Sequence, residues 1–303
     1  MCYFFDHMKA PTIKQLQYFL ALTKTEHFGQ AAKRCFVSQS AFSNAIKELE
    51  TVLDAELVDR TNRSVTITAT GQEVAVQARL VMSDVESLIE SARGHKDPLT
   101  GELRLGVIPT IAPFLLPEAL PRLRATYSEL RLLLTEDQTQ RIYDRLMEGE
   151  LDVLLVALPW RMQGVVELPL FEDPFCLACH EDTQIVDPEN YRFNRLDSDS
   201  ILLLEDGHCL REHALAACRI RNTQKVSRFG ASSLLTLVEM VDADLGITFL
   251  PEMARGSSLL RNTRVQLHEM SETSYRTIGL VWRKGSRRED EFRLLGEFFD
   301  EYR

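Results

Sequence analysis

Apolar positions along this chain change period three times, and each change marks a boundary. From Thr12 the apolar residues Ile13, Leu16, Tyr18, Phe19, Leu20 and Leu22 recur at helical spacing and predict a first helix. His27 to Cys35 predicts a short second helix, whose Ala31 and Ala32 are small enough for close helix packing. Phe36 and Val37 form a turn. Ser38 then caps a third helix running to about Leu53, with Ala41, Phe42, Ile46 and Leu49 inward. Its outward side near the N-terminus shows Gln39, Ser40, Ser43, Asn44 and Lys47. Between Leu57 and Thr70 the pattern switches to alternation, with Val65, Ile67 and Ala69 between threonines, and predicts a two-stranded wing. From Thr70 to about Arg93 there is no proline, and no glycine after Gly71. Val74, Ala78, Val81, Val85, Leu88 and Ile89 form a narrow seam on one long helix.

Beyond Gly101 short strands alternate with helices. Strands are expected at Leu103–Ile108, Leu130–Leu134, Leu151–Ala157, Phe171–Ala178, Ile201–Leu204, Val226–Phe229, Ile247–Leu250 and Thr277–Trp282. Helices are expected at Thr110–Thr126, Gln138–Glu148, Ser233–Ala243 and Glu291–Tyr302. This alternation implies a mostly parallel sheet with helices on its faces, and ligands in such sheets bind at the carboxyl ends of the strands. The fold class read from the pattern is mixed α and β. It comprises a winged helix-turn-helix, a long linker helix and an α/β body in which the strand Phe171–Ala178 can cross to a second lobe. The boundaries are 1–69 for the head, 70–94 for the linker helix, 95–100 for a hinge and 101–303 for the body. Lobe I takes about 101–171 and 276–303, and lobe II about 172–275.

Charge sharpens this division. The chain of 303 residues carries a formal net charge of −10. Residues 1–65 hold eight Lys/Arg and seven Asp/Glu, a balance of +1, so the rest is strongly acidic. Only the head suits a polyanion. Small polar side chains on the third helix can hydrogen-bond base edges, and Arg60 and Arg63, flanking the wing turn, can reach phosphates or the minor groove. An isolated amphipathic helix needs a partner for its stripe, so the linker helix predicts a dimer. No run of about 18 apolar residues predicts a membrane span, and the N-terminal stretch lacks the form of a signal peptide. Met8 is a second candidate start. Six cysteines in a chain this long do not read as a secreted disulfide scaffold, and the expected compartment is the reducing cytoplasm.

The stretch Asp206-Gly-His-Cys-Leu-Arg-Glu-His-Ala-Leu-Ala-Ala-Cys218 carries the candidate chemistry. Cys209 sits between His208 and Leu210 with Arg211 close behind, and a cation lowers a thiol's pKa. Cys209 is therefore a candidate reactive thiol and Cys218 a candidate partner. In a continuous helix their Cα atoms stand roughly 13 Å apart, against about 5.5–6 Å in a disulfide. Bonding them requires local refolding. The alternative is a pair of inert core cysteines. Cys176-Leu-Ala-Cys-His180 spells a haem-attachment pattern, but it falls in a predicted strand and reads as strand packing. Structural zinc needs four ligands, and no partner pair is evident. Cys35 reads as core. No metal or cofactor is expected.

Residues 12–71 resemble the winged helix-turn-helix of LysR-type transcriptional regulators. Phe19, Phe28, Ala31-Ala32, Val37-Ser38-Gln39, Ser43, Ile46, Leu49-Glu50, Leu53, Leu57, Arg60, Thr68 and Thr70-Gly71 carry the likeness. Asn44 stands where the family often has a basic residue, and Asp54 where it often has glycine. The resemblance implies DNA contacts from Ser38, Gln39, Ser40, Ser43, Asn44, Lys47, Arg60 and Arg63. It also implies a double-stranded operator, a homodimer through the linker helix that pairs into a tetramer, RNA polymerase as partner, and no enzyme activity. Its two-lobed effector domain is of the periplasmic-binding-protein type.

Gly106-Val-Ile-Pro-Thr110, Leu115-Leu-Pro117, Gln138-Thr139, Leu203-Leu-Glu-Asp-Gly-His-Cys-Leu-Arg211, Cys218, Gly246-Ile-Thr248, Leu250-Pro251 and Arg276-Thr-Ile-Gly-Leu-Val281 are similar to the OxyR subfamily, the hydrogen-peroxide sensors of that family. That likeness implies that Cys209 is the peroxidatic thiol and Cys218 the resolving one, joined in a reversible disulfide. It implies that Thr110, Thr139, His208 and Arg276 bind peroxide. Segment Arg219–Ser227 departs from the subfamily. The alternative is a regulator of the same family that binds a small metabolite between its lobes, with incidental cysteines.

Overall fold

The computed structural model describes residues 10–60, 65–92, 98–188, 190, 196–217, 225–270 and 274–302. They fall into two compact units: Met1–Lys96 with Met147–Glu150, and Asp97–Leu146 with Leu151–Arg303.

In the first unit, α1 (Ile13–Thr25), α2 (Phe28–Arg34) and α3 (Gln39–Leu53) precede strands β1 (Val58–Arg60) and β2 (Val65–Ile67) and the helix α4 (Ala69–Ala92). Each start has a chemical cause. Thr12 and Gln15 form a reciprocal capping box at α1. His27 Nδ1 accepts the Gln30 N–H at α2, and Ser38 Oγ accepts the Ala41 N–H at α3. Phe19, Leu22, Ala31, Phe42, Ile46, Leu49 and Leu57 close the core, where the Phe42 ring stacks on Tyr18 and meets Phe28 edge-on. Ala41, expected inward, is exposed, because the buried stripe of α3 runs through Phe42, Ile46 and Leu49.

Strands β1 and β2 pair antiparallel as the expected wing. Arg63 and the side chain of Arg60 lie outside the described residues. Thr68 caps α4 by accepting the Gly71 N–H while donating to the Glu56 carbonyl. At Gly71 a Cβ would meet the Leu57 carbonyl oxygen at 2.3 Å, so a side chain there forces the strand and the helix apart. Ala75 and Ala78 of α4 are buried in the core with α1, while Val81, Leu88 and Ile89 of the expected seam are exposed.

In the second unit the strands are β3 (Gly101–Val107), β4 (Leu130–Glu136), β5 (Val153–Leu158), β6 (Val165–His180), β7 (Ile201–Leu204), β8 (Val226–Ala231), β9 (Thr248–Pro251), β10 (Val265–Glu269) and β11 (Tyr275–Arg283). The helices are α5 (Ala112–Thr126), α6 (Thr139–Met147), α7 (Cys209–Ala217), α8 (Leu234–Asp242) and α9 (Glu289–Asp300). The main sheet runs β10-β6-β11-β5-β3-β4, with β9 also on β6.

The expectation of a mostly parallel sheet needs correction. β3 pairs parallel with β4 and β5, and β7 with β8, but β11, β10 and β9 all pair antiparallel with β6 or β5. The cause is β6, which runs 16 residues and serves two sheet segments in turn. Its first part pairs with β11 and its last part with β9 and β10. Strand β10 was not predicted, and α5 begins at Ala112 rather than Thr110. Of the expected hinge only 98–100 is described, and there Leu99 is buried. No helix among the described residues is long and apolar enough to cross a membrane.

Asp54 ends α3 in the left-handed region, at φ 49. Its carboxylate also stands at the negative end of the helix dipole. Asp54→Gly is expected to stabilise the first unit by about 0.5–1 kcal/mol, read from its unfolding in urea. A stability loss would contradict this account of the turn.

Candidate functional site

The site is assembled where strands end. Thr110 follows β3. Thr139 opens α6 just after β4, and Ala157 and Pro159 stand at the end of β5. His208 and Cys209 follow β7 across a turn whose Gly207 has φ +97. That φ is strained for any L side chain, so the turn that presents His208 and Cys209 needs glycine. Arg276 comes from β11. The carboxyl ends of β3, β4, β5 and β7 thus meet the amino end of the antiparallel β11, in part as the βα alternation predicted.

Cys209 is buried, carries a free thiol and is the first residue of α7. Burial pushes its pKa up, because a thiolate loses its hydration. Four groups pull the other way: the Thr139 hydroxyl, the Arg276 charge, the Ala157 backbone N–H and its own backbone N–H. Thr139 Oγ1 is buried without another partner among the described residues, and its hydroxyl is the group that most favours the Cys209 thiolate. We read it as a donor aimed toward the sulfur that still has capacity for a ligand.

The cation near the thiol is not one of its neighbours in sequence. Arg211, the flanking candidate, pairs with Asp206 at 2.9 Å and donates to the Leu204 carbonyl at 3.1 Å. His208 is buried, and desolvation lowers its pKa, so near neutral pH it supplies no charge. Its Nε2 is buried without a partner among the described residues.

Arg276 is fully buried and fixed on several sides. Nε donates to Asp173 Oδ2 at 2.9 Å, Nη1 to Thr110 Oγ1 at 2.9 Å, and Nη2 to the Thr110 carbonyl at 2.8 Å. Met253 Sδ lies 3.4 Å from Nη2. Asp173 and Arg276 are register partners across β6 and β11. Burial raises the Asp173 pKa despite Arg276, and its other oxygen accepts the Met253 N–H at 3.1 Å.

The structure therefore brings Thr139, Arg276 and Cys209 together and joins Thr110 to them through Arg276, while the His208 ring sits among Glu205, Ser232, Arg141 and Asp137. Cys218 lies outside the described residues. Asp173, Met253, Ala157 and Pro159 were missed, since strand register and loop approach leave no mark in sequence. His213 was legible: it stands four residues after Cys209, on the same helix face.

Cys176 and Cys179 lie on β6 three residues apart, which puts their side chains on opposite faces. The haem pattern therefore does not present two thiols together. Cys176 donates to Glu252 Oε2 at 2.8 Å and its pKa is pushed up to about 12, while Cys179 is raised to about 11. Both are buried strand-packing residues, as expected. Cys35 is half-buried against the core of the first unit. No group of three or more metal-ligating side chains occurs among the described residues.

Two family profiles match the chain. One describes the bacterial regulatory helix-turn-helix protein, lysR family, over residues 13–72, and the other the LysR substrate binding domain over residues 96–303. The HTH-type transcriptional regulator EstR of Acinetobacter baylyi is 39% identical, over 94% of this chain and 95% of its own. The DNA-binding transcriptional dual regulator OxyR of Escherichia coli is 38% identical, over 94% and 93%. A full-length OxyR variant from Pseudomonas aeruginosa superposes with a TM-score of 0.79 at 30% identity, covering 95% of this chain and 94% of that one. An OxyR mutant of Corynebacterium glutamicum with hydrogen peroxide bound gives 0.64 at 32%, covering 97% and 93%. The families matched are those of transcription regulators, not enzymes.

Removing the Asp173 carboxylate leaves a buried guanidinium without its counter-charge. Asp173→Ala is expected to cost about 3–5 kcal/mol in the unfolding of the second unit. A loss below about 1 kcal/mol, the range of an exposed pair, would show that the pair does not organise the site.

Proposed function

We propose, from the premise that this chain belongs to the LysR family of bacterial transcriptional regulators, that it senses hydrogen peroxide through Cys209 and reports it as a change in promoter binding. One observation carries the reading. A buried thiol at the start of α7 is met by hydroxyl, guanidinium and backbone donors that oppose the cost of burying its thiolate, and Thr139 Oγ1 has no other partner among the described residues.

The chemistry balances with peroxide as the oxidant. The Cys209 sulfur attacks one peroxide oxygen, the O–O bond breaks, and the departing oxygen leaves as water with the thiol's proton. Cys209 becomes a sulfenic acid. Thr110, Thr139, His208 and Arg276 position the peroxide and stabilise the charge on the leaving oxygen. The Cys218 thiol then displaces a second water from that sulfur and forms the Cys209–Cys218 disulfide. Cellular thiols reverse it.

Helix geometry makes this a switch. Along α7, from Cys209 to Ala217, the Cα atoms span about 12 Å. Cys218 is one peptide further on, and one peptide shifts a Cα by only about 3.8 Å. The two cysteines are then at least about 8 Å apart, beyond the roughly 6.8 Å limit of a disulfide. Bond formation therefore requires α7 to unwind. Unwinding changes the packing of a dimer joined through the linker helix, and of its pairing into a tetramer, and so the spacing of the DNA-binding heads.

In the heads, Ser38, Gln39, Ser40, Ser43, Asn44 and Lys47, with Arg60 and Arg63, contact the operator, and the regulator acts on RNA polymerase in the cytoplasm. Domain limits of 1–69, 70–94, 95–100 and 101–303 fit this division of labour, with lobe I at 101–171 and 276–303 and lobe II at 172–275. EstR, whose name carries no reference to peroxide, is as similar as OxyR and supports a rival reading: a metabolite bound near Thr110 and Thr139.

Promoter footprinting with and without peroxide separates the two. Cys209→Ser is expected to keep operator affinity and lose all response to peroxide. Cys218→Ser is expected to reach the sulfenic acid without the disulfide. Arg276→Lys is expected to slow Cys209 oxidation roughly 100-fold. A full peroxide response in Cys209→Ser would refute the sensor.

A further inference from the structure

Helix α7 carries a second titratable group on the face that presents Cys209. His213 follows one turn later, at the i+4 position. Its Nε2 lies 2.8 Å from the Pro159 carbonyl oxygen at the end of β5. A carbonyl only accepts, so Nε2 carries the proton and Nδ1 of the neutral ring is a bare acceptor. That Nδ1 is buried and has no partner among the described residues. Two residues earlier in the same strand end, the Ala157 N–H faces the Cys209 sulfur. Successive turns of α7 are thus fastened to one segment, Ala157–Pro159.

We infer that His213 is a positioning residue whose hydrogen bond to Pro159 latches α7 onto the end of β5, holding Cys209 in its buried place, and that the latch loosens when the imidazole takes up a second proton. The latch itself stands on this geometry. Its consequence for signalling rests on the peroxide-sensor reading.

The groups around His213 set the direction. Arg276 of β11, paired with Asp173 of β6, opposes a second positive charge. Glu212, on α7 itself, and the Pro159 carbonyl of the β5 end favour it. Strand β7 is apolar throughout. Burial is the largest influence and disfavours the charged ring, so the His213 pKa lies below its ordinary value. A second N–H at Nδ1 would also be buried without an acceptor, which is costly.

A group with a lowered folded pKa binds fewer protons in the latched helix than in the unwound one. The latch is therefore intact above about pH 6.5, the ordinary imidazole value, and is lost as pH falls below it. His208 is also buried with a lowered pKa. It acts in the same direction, so the test must hold it constant.

The test uses the reduced full-length protein, His213→Gln and His213→Ala, compared with one another at pH 7.5 and pH 5.5. Glutamine's amide N–H can donate to Pro159 and does not titrate. The first readout is amide hydrogen exchange along α7. At pH 7.5 the wild type and His213→Gln should be equally protected, and His213→Ala less so. At pH 5.5 the wild type should exchange faster than His213→Gln, by up to about tenfold, the ceiling set by one pH unit below an ordinary imidazole.

The second readout is redox titration of the Cys209–Cys218 couple in glutathione buffers. At pH 5.5 the wild-type disulfide should be favoured over that of His213→Gln by up to about tenfold, or about 30 mV for two electrons, with no difference at pH 7.5. Equal exchange in the wild type and His213→Gln at both pH values overturns the latch. So does full protection of His213→Ala at pH 7.5. If the exchange pattern holds but no variant forms the Cys209–Cys218 disulfide, the latch stands and the peroxide-sensor reading fails.

Discussion

A buried guanidinium is the constraint around which the regulatory half of this molecule is arranged. Arg276 has left water completely, and its charge must be answered within the protein. Asp173 supplies the counter-charge across the β6–β11 pair, and Thr110 supplies a hydroxyl and a carbonyl from the end of β3. Asp173 in turn accepts the Met253 N–H and so fixes the turn after β9. One cation thereby ties three strands and two loops into a single arrangement. The same charge is among the groups that favour the Cys209 thiolate against the cost of burial.

The consequence for the thiol is a balance of opposed effects. Desolvation holds Cys209 protonated and quiet in the absence of a reactant. Hydroxyl, guanidinium and backbone donors stand ready to stabilise charge once the proton moves. On the proposed reading, the helix that carries Cys209 has its own constraint, because nine helical residues place Cys209 and Ala217 about 12 Å apart, and a bond from Cys209 to Cys218 then requires unwinding. Chemistry at the thiol and persistence of α7 would therefore compete, and that competition would turn a bond rearrangement of a few ångströms into a change of conformation.

How much of this was legible in the sequence differs between the two halves. The helices of the head were readable because their causes are local: a Thr12–Gln15 capping box, a Ser38 cap and a 3.6-residue apolar period. Even so, Ala41 was put on the wrong face, since alanine is small enough for either. In the regulatory half the strands were readable but their pairing was not. β6 is one long strand shared by two sheet segments, and its antiparallel partners turned an expected parallel sheet into a mixed one.

The motif around Cys209 was legible, and the resemblance it carried led to Thr110, Thr139, His208 and Arg276. The cation assigned from sequence neighbours was not the right one. Arg211 is taken up by Asp206, and the group near the sulfur is Arg276 from a distant strand. Asp173 could not be found without the register that sets it opposite Arg276.

The central claim is that Cys209, alone among the thiols, reacts rapidly with peroxide and is trapped by Cys218. The direct test is peptide mapping by mass spectrometry of the reduced protein, quenched at intervals after about one equivalent of hydrogen peroxide. Burial, joined at Cys176 by the Glu252 carboxylate that outweighs the nearby Arg255, pushes the Cys176 and Cys179 pKa values up to about 12 and about 11, so both should remain reduced. The account predicts a Cys209–Cys218 disulfide as the early product, with Cys35, Cys176 and Cys179 unchanged. A Cys209 that stays reduced while other cysteines oxidise slowly would contradict it and move the search to a metabolite beside Thr110 and Thr139.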